Sequence, residues 1–170
     1  MNHLITVDEA KTLGRIIGRH VDDDDILSYI NETEQIDIKK ALGDKLFMDV
    51  LENEGGKYDI LLKGGSYTSK DNIVHTFVGL KIAMSYYVYG RFVKNAYIQA
   101  DRFGAVIKDG EYSSQPSAKE RSDCYNDAFQ VAYTYLQECL NYINTMFPSG
   151  NCGDKKYIKS NRVIIRKIGE

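Results

Sequence analysis

The chain has 170 residues, 43% of them hydrophobic and 27% charged, with a formal net charge of −2. That is enough for one domain burying roughly two-thirds of its unfolded surface, and no apolar run reaches the ~18 to 20 residues a spanning helix needs. The opening MNHLITVDEAK carries no basic segment followed by an apolar run and cleavage site, so no secretory leader is expected and use inside a cell follows.

In chain order, Thr6 with Glu9 three residues on forms a capping-box pattern, and Gly14 is a stop signal, which predicts a short first helix. From Asp23 to Asn53 the spacing predicts one long or once-broken helical stretch. Ile26, Ile30, Thr33 and Ala41 fall on one stripe, Asp37 intrudes into it and Gly43 interrupts the second half, so a bend is expected between residues 37 and 43. The run Asp22, Asp23, Asp24, Asp25 invites a hard-cation reading. Adjacent residues on an opening helix point apart, however, and Asp at a helix start caps free amides and complements the dipole, so capping is the expected role.

GGKYDILLKGGSYTSKDN reads as a turn, one or two helical turns and another turn. Gly64 and Gly65 fit neither the Walker spacing nor GxGxxG, so no nucleotide site is expected. A central helix is predicted from Ile73 to about Tyr97. It has Phe77, Leu80, Met84, Tyr87, Val88 and Arg91 on one side and Val74, Val78, Ile82, Tyr89 and Val93 on a second, and so requires cover on two sides. Tyr86, Tyr87 and Tyr89 could stack on bases, but on such a helix packing is expected. Residues 98–116 break the helical period, and AVIKDGEY, with its DG turn, predicts a small hairpin or extended loop. Ser117 as cap and Glu120 behind it introduce the last helix, with Tyr125, Ala128, Phe129, Ala132, Leu136, Cys139, Leu140, Ile143 and Phe147 on its stripe. Pro148 and Gly150 end it.

No nucleophile, base and orienting acid stand in a recognisable pattern, and no histidine shares ligand spacing with a cysteine, so neither an enzyme nor a zinc centre is expected and no cofactor is assigned. Cys124 and Cys139 lie about 22 Å apart along one helix and cannot bridge each other; with Cys152 they are expected to be buried thiols. Residues 1–60 carry 14 acids and 7 bases, a balance of −7, whereas residues 151–170 carry 2 acids and 6 bases, a balance of +4. The tail SNRVIIRKIGE alternates Arg162, Ile164, Arg166 and Ile168 with Val163, Ile165 and Lys167, the look of a strand with one covered face. A strand needs a partner edge. It can pair in cis with GAVIK at 104–108, or in trans on another molecule as an interface built from Arg162, Val163, Ile164, Ile165, Arg166 and Ile168. The trans reading is preferred, because a lone two-stranded ribbon is marginal and the residues between Phe147 and Ile158 can span over ~30 Å. The expected fold is mainly α: a small helical bundle over 1–147 with an extended loop or hairpin, and a strand-like tail over 148–170.

YINETEQIDIKKALGDKLFMDVLE, then YDILLKGGSY, GLKIAMSYYVYGRFV, DRFG and the long last helix resemble the head-tail connector proteins of tailed bacteriophages, most nearly those of crAss-like phages, over residues 4–147. The resemblance rests on Leu42-Gly43, Gly64-Gly65 and Gly79-Leu80-Lys81. It implies a non-enzymatic virion subunit assembled with copies of itself into a ring, most often a dodecamer, between the portal protein and the next tail component. DNA would pass through the ring without sequence-specific binding, Asp22 to Asp25 would face the lumen, and no membrane would be involved. The alternative is a nucleic-acid-binding helical module using Lys155, Lys156, Lys159, Arg162, Arg166 and Lys167.

Overall fold

The computed structural model describes residues 2–53, 56–96, 98–101, 104–107 and 116–147. It is mainly α. Helices α1 (Val7–Thr12) and α2 (Asp23–Glu32) lead into a π-helical turn (Thr33–Ile38) and α3 (Lys39–Leu42). Helices α4 (Asp44–Glu52) and α5 (Asp59–Lys63), strands β1 (Gly65–Thr68) and β2 (Val74–Phe77), and helix α6 (Leu80–Asn95) follow. Strands β3 (Ile98–Asp101) and β4 (Gly104–Ile107) then separate α6 from the long helix α7 (Ala118–Met146).

Both predicted capping boxes form. The Thr6 hydroxyl accepts from Glu9 N while the Glu9 carboxylate accepts from Thr6 N, and Ser117 and Glu120 repeat the exchange at α7. Asp22 caps α2 by accepting from Asp24 N, with Asp23, Asp24 and Asp25 in the first turn, as the capping reading expected.

The π-helical turn explains the anomaly at Asp37. In an unbroken α-helix the stripe through Ile26, Ile30 and Thr33 would continue to residues 37 and 41. The wider π turn advances the phase by one residue, so Ile38 and Leu42 take the buried places and Asp37 and Ala41 are only partly covered. The bend comes where it was expected, because Gly43, at φ 79°, ends α3 and opens α4.

Helices α6 and α7 run antiparallel and form the centre of the core. Ala128 and Phe129 sit against Gly90, Tyr135 meets Tyr86, and Tyr142 stacks on Phe77 just before α6. Leu80, Ala83, Met84, Tyr87 and Val88 of α6 are buried with Ala132, Leu136, Cys139 and Ile143 of α7. Tyr86 and Tyr89 pack against this cluster, as expected of the tyrosine group. Each fully buried Leu, Ile or Met contributes roughly 1.5–3 kcal/mol.

Two expectations are corrected. The central helix starts at Leu80, because Val74–Phe77 form β2, paired with β1 in the register Gly65↔Phe77 to Thr68↔Val74. Val74 is consequently 67% exposed. The reason is backbone geometry at the two glycines framing the hairpin. Gly64 ends α5 at φ 88° and Gly79 opens α6 at φ 92°, and a Cβ on Gly79 would lie 2.3 Å from Gly64 N. Gly79 is therefore the cap of α6 and not a residue within it.

The next hairpin forms within the stretch where a hairpin or extended loop was expected, β4 pairing with β3 from Ile98↔Ile107 to Asp101↔Gly104, and the DG pair lies outside the described residues. The second correction is that Cys124 is exposed whereas Cys139 is buried. Burial along α7 begins at Ala128, opposite Gly90, and Cys124 lies a turn before that contact.

Candidate functional site

Four polar ties brace the amino-terminal third, two of them within it and two, from Arg91 and Lys81, to α6. The Glu34 carboxylate, on the π turn and 3% exposed, accepts from Leu4 N at 2.7 Å and lies 2.9 Å from His3 Nδ1, next to Leu4 and Ile5 in the core. Arg91 of α6 donates to the Thr33 hydroxyl at 3.2 Å and to Asp37 at 2.7 Å, stands 3.3 Å from Glu32, and lies over the Phe129 ring. Burial pushes the Asp37 carboxyl above its usual range, with the Arg91 charge pulling the other way. Lys81 reaches back to Glu9 at 2.9 Å. Partial burial would raise the Glu9 carboxyl, but the bonds from Thr6 N and Lys81 outweigh it and hold it low. Lys11 donates to Val21 O and Asp23. Buried charges of this kind are tolerated because each is answered by a hydrogen-bonding partner.

This is bracing chemistry. An open cavity of about 560 Å³ lies between α1 and the start of α2. It is walled by Ile16 and Ile17 and edged by Asp8, Lys11, Thr12, Arg19 and Asp23, and among the described residues no serine, cysteine or histidine lines it. Among the described residues no group of three or more His, Cys, Asp or Glu side chains converges as metal ligands would. Among the same residues no helix is long and apolar enough to cross a membrane.

Of the site residues picked out by sequence, the structure describes the four aspartates. Asp22, Asp23, Asp24 and Asp25 are exposed at the start of α2, with Asp22 engaged as the cap and Asp23 paired to Lys11. Arg162, Val163, Ile164, Ile165, Arg166 and Ile168 lie outside the described residues, as do Lys155, Lys156, Lys159, Lys167 and Cys152.

Two two-stranded ribbons flank α6 in the chain, β1–β2 before it and β3–β4 after it. The β1–β2 ribbon is braced on α7, since Tyr67 packs edge-on to Tyr142 and Phe77 stacks on it. At its turn Ile73 and Val74 are 56% and 67% exposed. The β3–β4 ribbon makes no more than marginal contact with any helix among the described residues. Sequence reasoning missed β1–β2, although the alternation in VHTF after the polar turn SKDN was its signal.

Family comparison covers most of this framework: residues 38–155, from the end of the π turn through α7, match the model of a family of unknown function, DUF6712. No curated protein and no solved structure matches the chain. Since the matched span is more than half of the molecule, the chain belongs to the DUF6712 family.

Proposed function

We propose that this protein is a structural subunit of a tailed-phage virion, assembling with copies of itself into a ring between portal and tail through which DNA passes. The observation that carries the reading is the β3–β4 ribbon, a two-stranded element that makes no more than marginal contact with any helix among the described residues. Such a ribbon is marginal alone and gains stability by packing on something else. The resemblance of the helical segments to head-tail connectors supports the same reading, as does the contrast between the acidic first 60 residues and the basic last 20. A heterologous contact of this kind, repeated by rotation, closes a ring. Asp22 to Asp25, exposed at the start of α2, suit a lumen wall that repels DNA phosphates.

The test is electron microscopy of the purified protein, alone and mixed with portal. The expected result is rings, or rings seated on portal, that are lost when residues 151–170 are deleted. A chain that stays monomeric in both samples contradicts the proposal. Replacing all four aspartates by asparagine tests the lumen assignment separately. Packaging or ejection should slow; unchanged rates would remove the assignment and leave the ring intact.

A further inference from the structure

The register of β3 and β4 puts positions 98, 100, 105 and 107 on one face of the ribbon and 99, 101, 104 and 106 on the other. The first set is Ile, Ala, Ala and Ile, whereas the second includes Gln99 and Asp101. The ribbon is thus amphipathic in sequence. Each strand has its partner on one edge, and among the described residues the other edge is unpaired. Open edges of this kind recruit a further strand. The β1–β2 ribbon has less need of one, because Tyr67 and Phe77 already seat it on Tyr142.

Resting on the self-assembly proposed above, we infer that the open edge of the β3–β4 ribbon is the acceptor for residues 162–168 of a neighbouring copy. The reach of the tail favours a neighbour over the same chain. The chain leaves α7 at Phe147, whose ring is held 5.7 Å from that of Tyr58 and 6.2 Å from that of Tyr142. The ribbon follows α6, whose Lys94 lies over the Tyr125 ring towards the start of α7, and α7 has 29 residues and is about 43 Å long. The steps from Phe147 to Arg162 cover at most about 50 Å when fully stretched. Pairing within one chain therefore needs a tail that runs back along most of the helix. A copy displaced by roughly one helix length presents its ribbon directly beside the exit at Phe147. The composition fits as well: Val163 and Ile165, on one face of the tail strand, can extend the apolar face of positions 98, 100, 105 and 107, and Arg162 and Arg166, on the other, bring positive charge to the face carrying Asp101.

The test is disulfide trapping in the full chain, with Cys124 and Cys152 replaced by serine. One preparation carries V106C and a second carries V163C, I164C or I165C; the two are mixed and oxidised. The expected result is a covalent heterodimer for at least one tail position, and none when S66C on β1 replaces V106C. A variant with I165P, which removes a strand donor outside the helical core, should weaken self-association about tenfold with helix content unchanged. Rings that form without any trapped V106C product would overturn the acceptor while leaving the ring intact. So would trapping through S66C, or a disulfide confined to single chains when both cysteines are on one molecule. A chain that never self-associates would remove the proposed function as well.

Discussion

Gly79 and Gly64 show how a few atoms settle a whole segment. Both have positive φ; a Cβ on Gly79 would run into the backbone of residues 62–64, and one on Gly64 into the backbone of Phe77 and Val78. Gly79→Ala should therefore cost at least about 2 kcal/mol, from strain in a conformation almost restricted to glycine plus a contact that only backbone movement relieves; urea unfolding checks this, and a neutral result would show that the two turns are free to part. Arg91 makes a second prediction. The Asp37 carboxyl sits above its ordinary value, so its ionisation opposes folding: its contribution is most favourable below the unfolded value of 3.8 and worsens as pH rises through the higher native value. Arg91→Met removes the counter-charge and raises that native value further. The variant should lose about 3 kcal/mol near neutral pH, with a deficit that shrinks as the pH falls towards 3.8. A deficit independent of pH would mean that Arg91 acts by packing on Phe129 alone. The cysteines give a third prediction. Burial pushes the Cys139 thiol up to about 12, while Cys124 is exposed. In a Cys152→Ser chain a thiol reagent should label Cys124 in the native state and Cys139 only on unfolding; rapid native labelling of Cys139 would refute its place in the core.

Among the elements, those set by local chemistry were legible in the sequence and those set by phase or competition were not. Thr6 with Glu9 and Ser117 with Glu120 announced two helix starts because a capping box is complete within four residues. Asp37 was visible as an intruder on a stripe, but its explanation is a π turn that shifts everything downstream by one position, and no single residue signals that. Val74–Phe77 was absorbed into α6 because valine and phenylalanine also satisfy the helical spacing that follows, and the two glycines that separate hairpin from helix act through contact with each other. The phase argument is testable. Deleting Ile36, exposed on the π turn, should convert it to an α-helical turn while keeping Ile26, Ile30, Ile38 and Leu42 on one stripe, with a loss below about 2 kcal/mol. Deleting the exposed Ser28 within α2 should rotate Ile26 out of the core and abolish cooperative unfolding. Equal effects from the two deletions would contradict the phase shift.

For the whole molecule, the sequence conveyed the mainly helical body and the hairpin between the last two helices, and the long stripe of α7 marked the core. It conveyed no chemistry, and the polar ties built on Glu34, Arg91, Lys81 and Lys11 explain why charged residues are nonetheless buried: they brace α1, the π turn and α6 together. The proposed role then depends on the β3–β4 ribbon that follows α6 and on the tail that follows α7. The proposal brings the two together between copies laid head to tail. Native mass spectrometry of the purified full-length chain beside a chain ending at residue 150 tests this most directly. The account predicts closed multimers of the full-length chain and a folded monomer for the shortened one; a monomeric full-length chain, or multimers that persist unchanged without the tail, would contradict it.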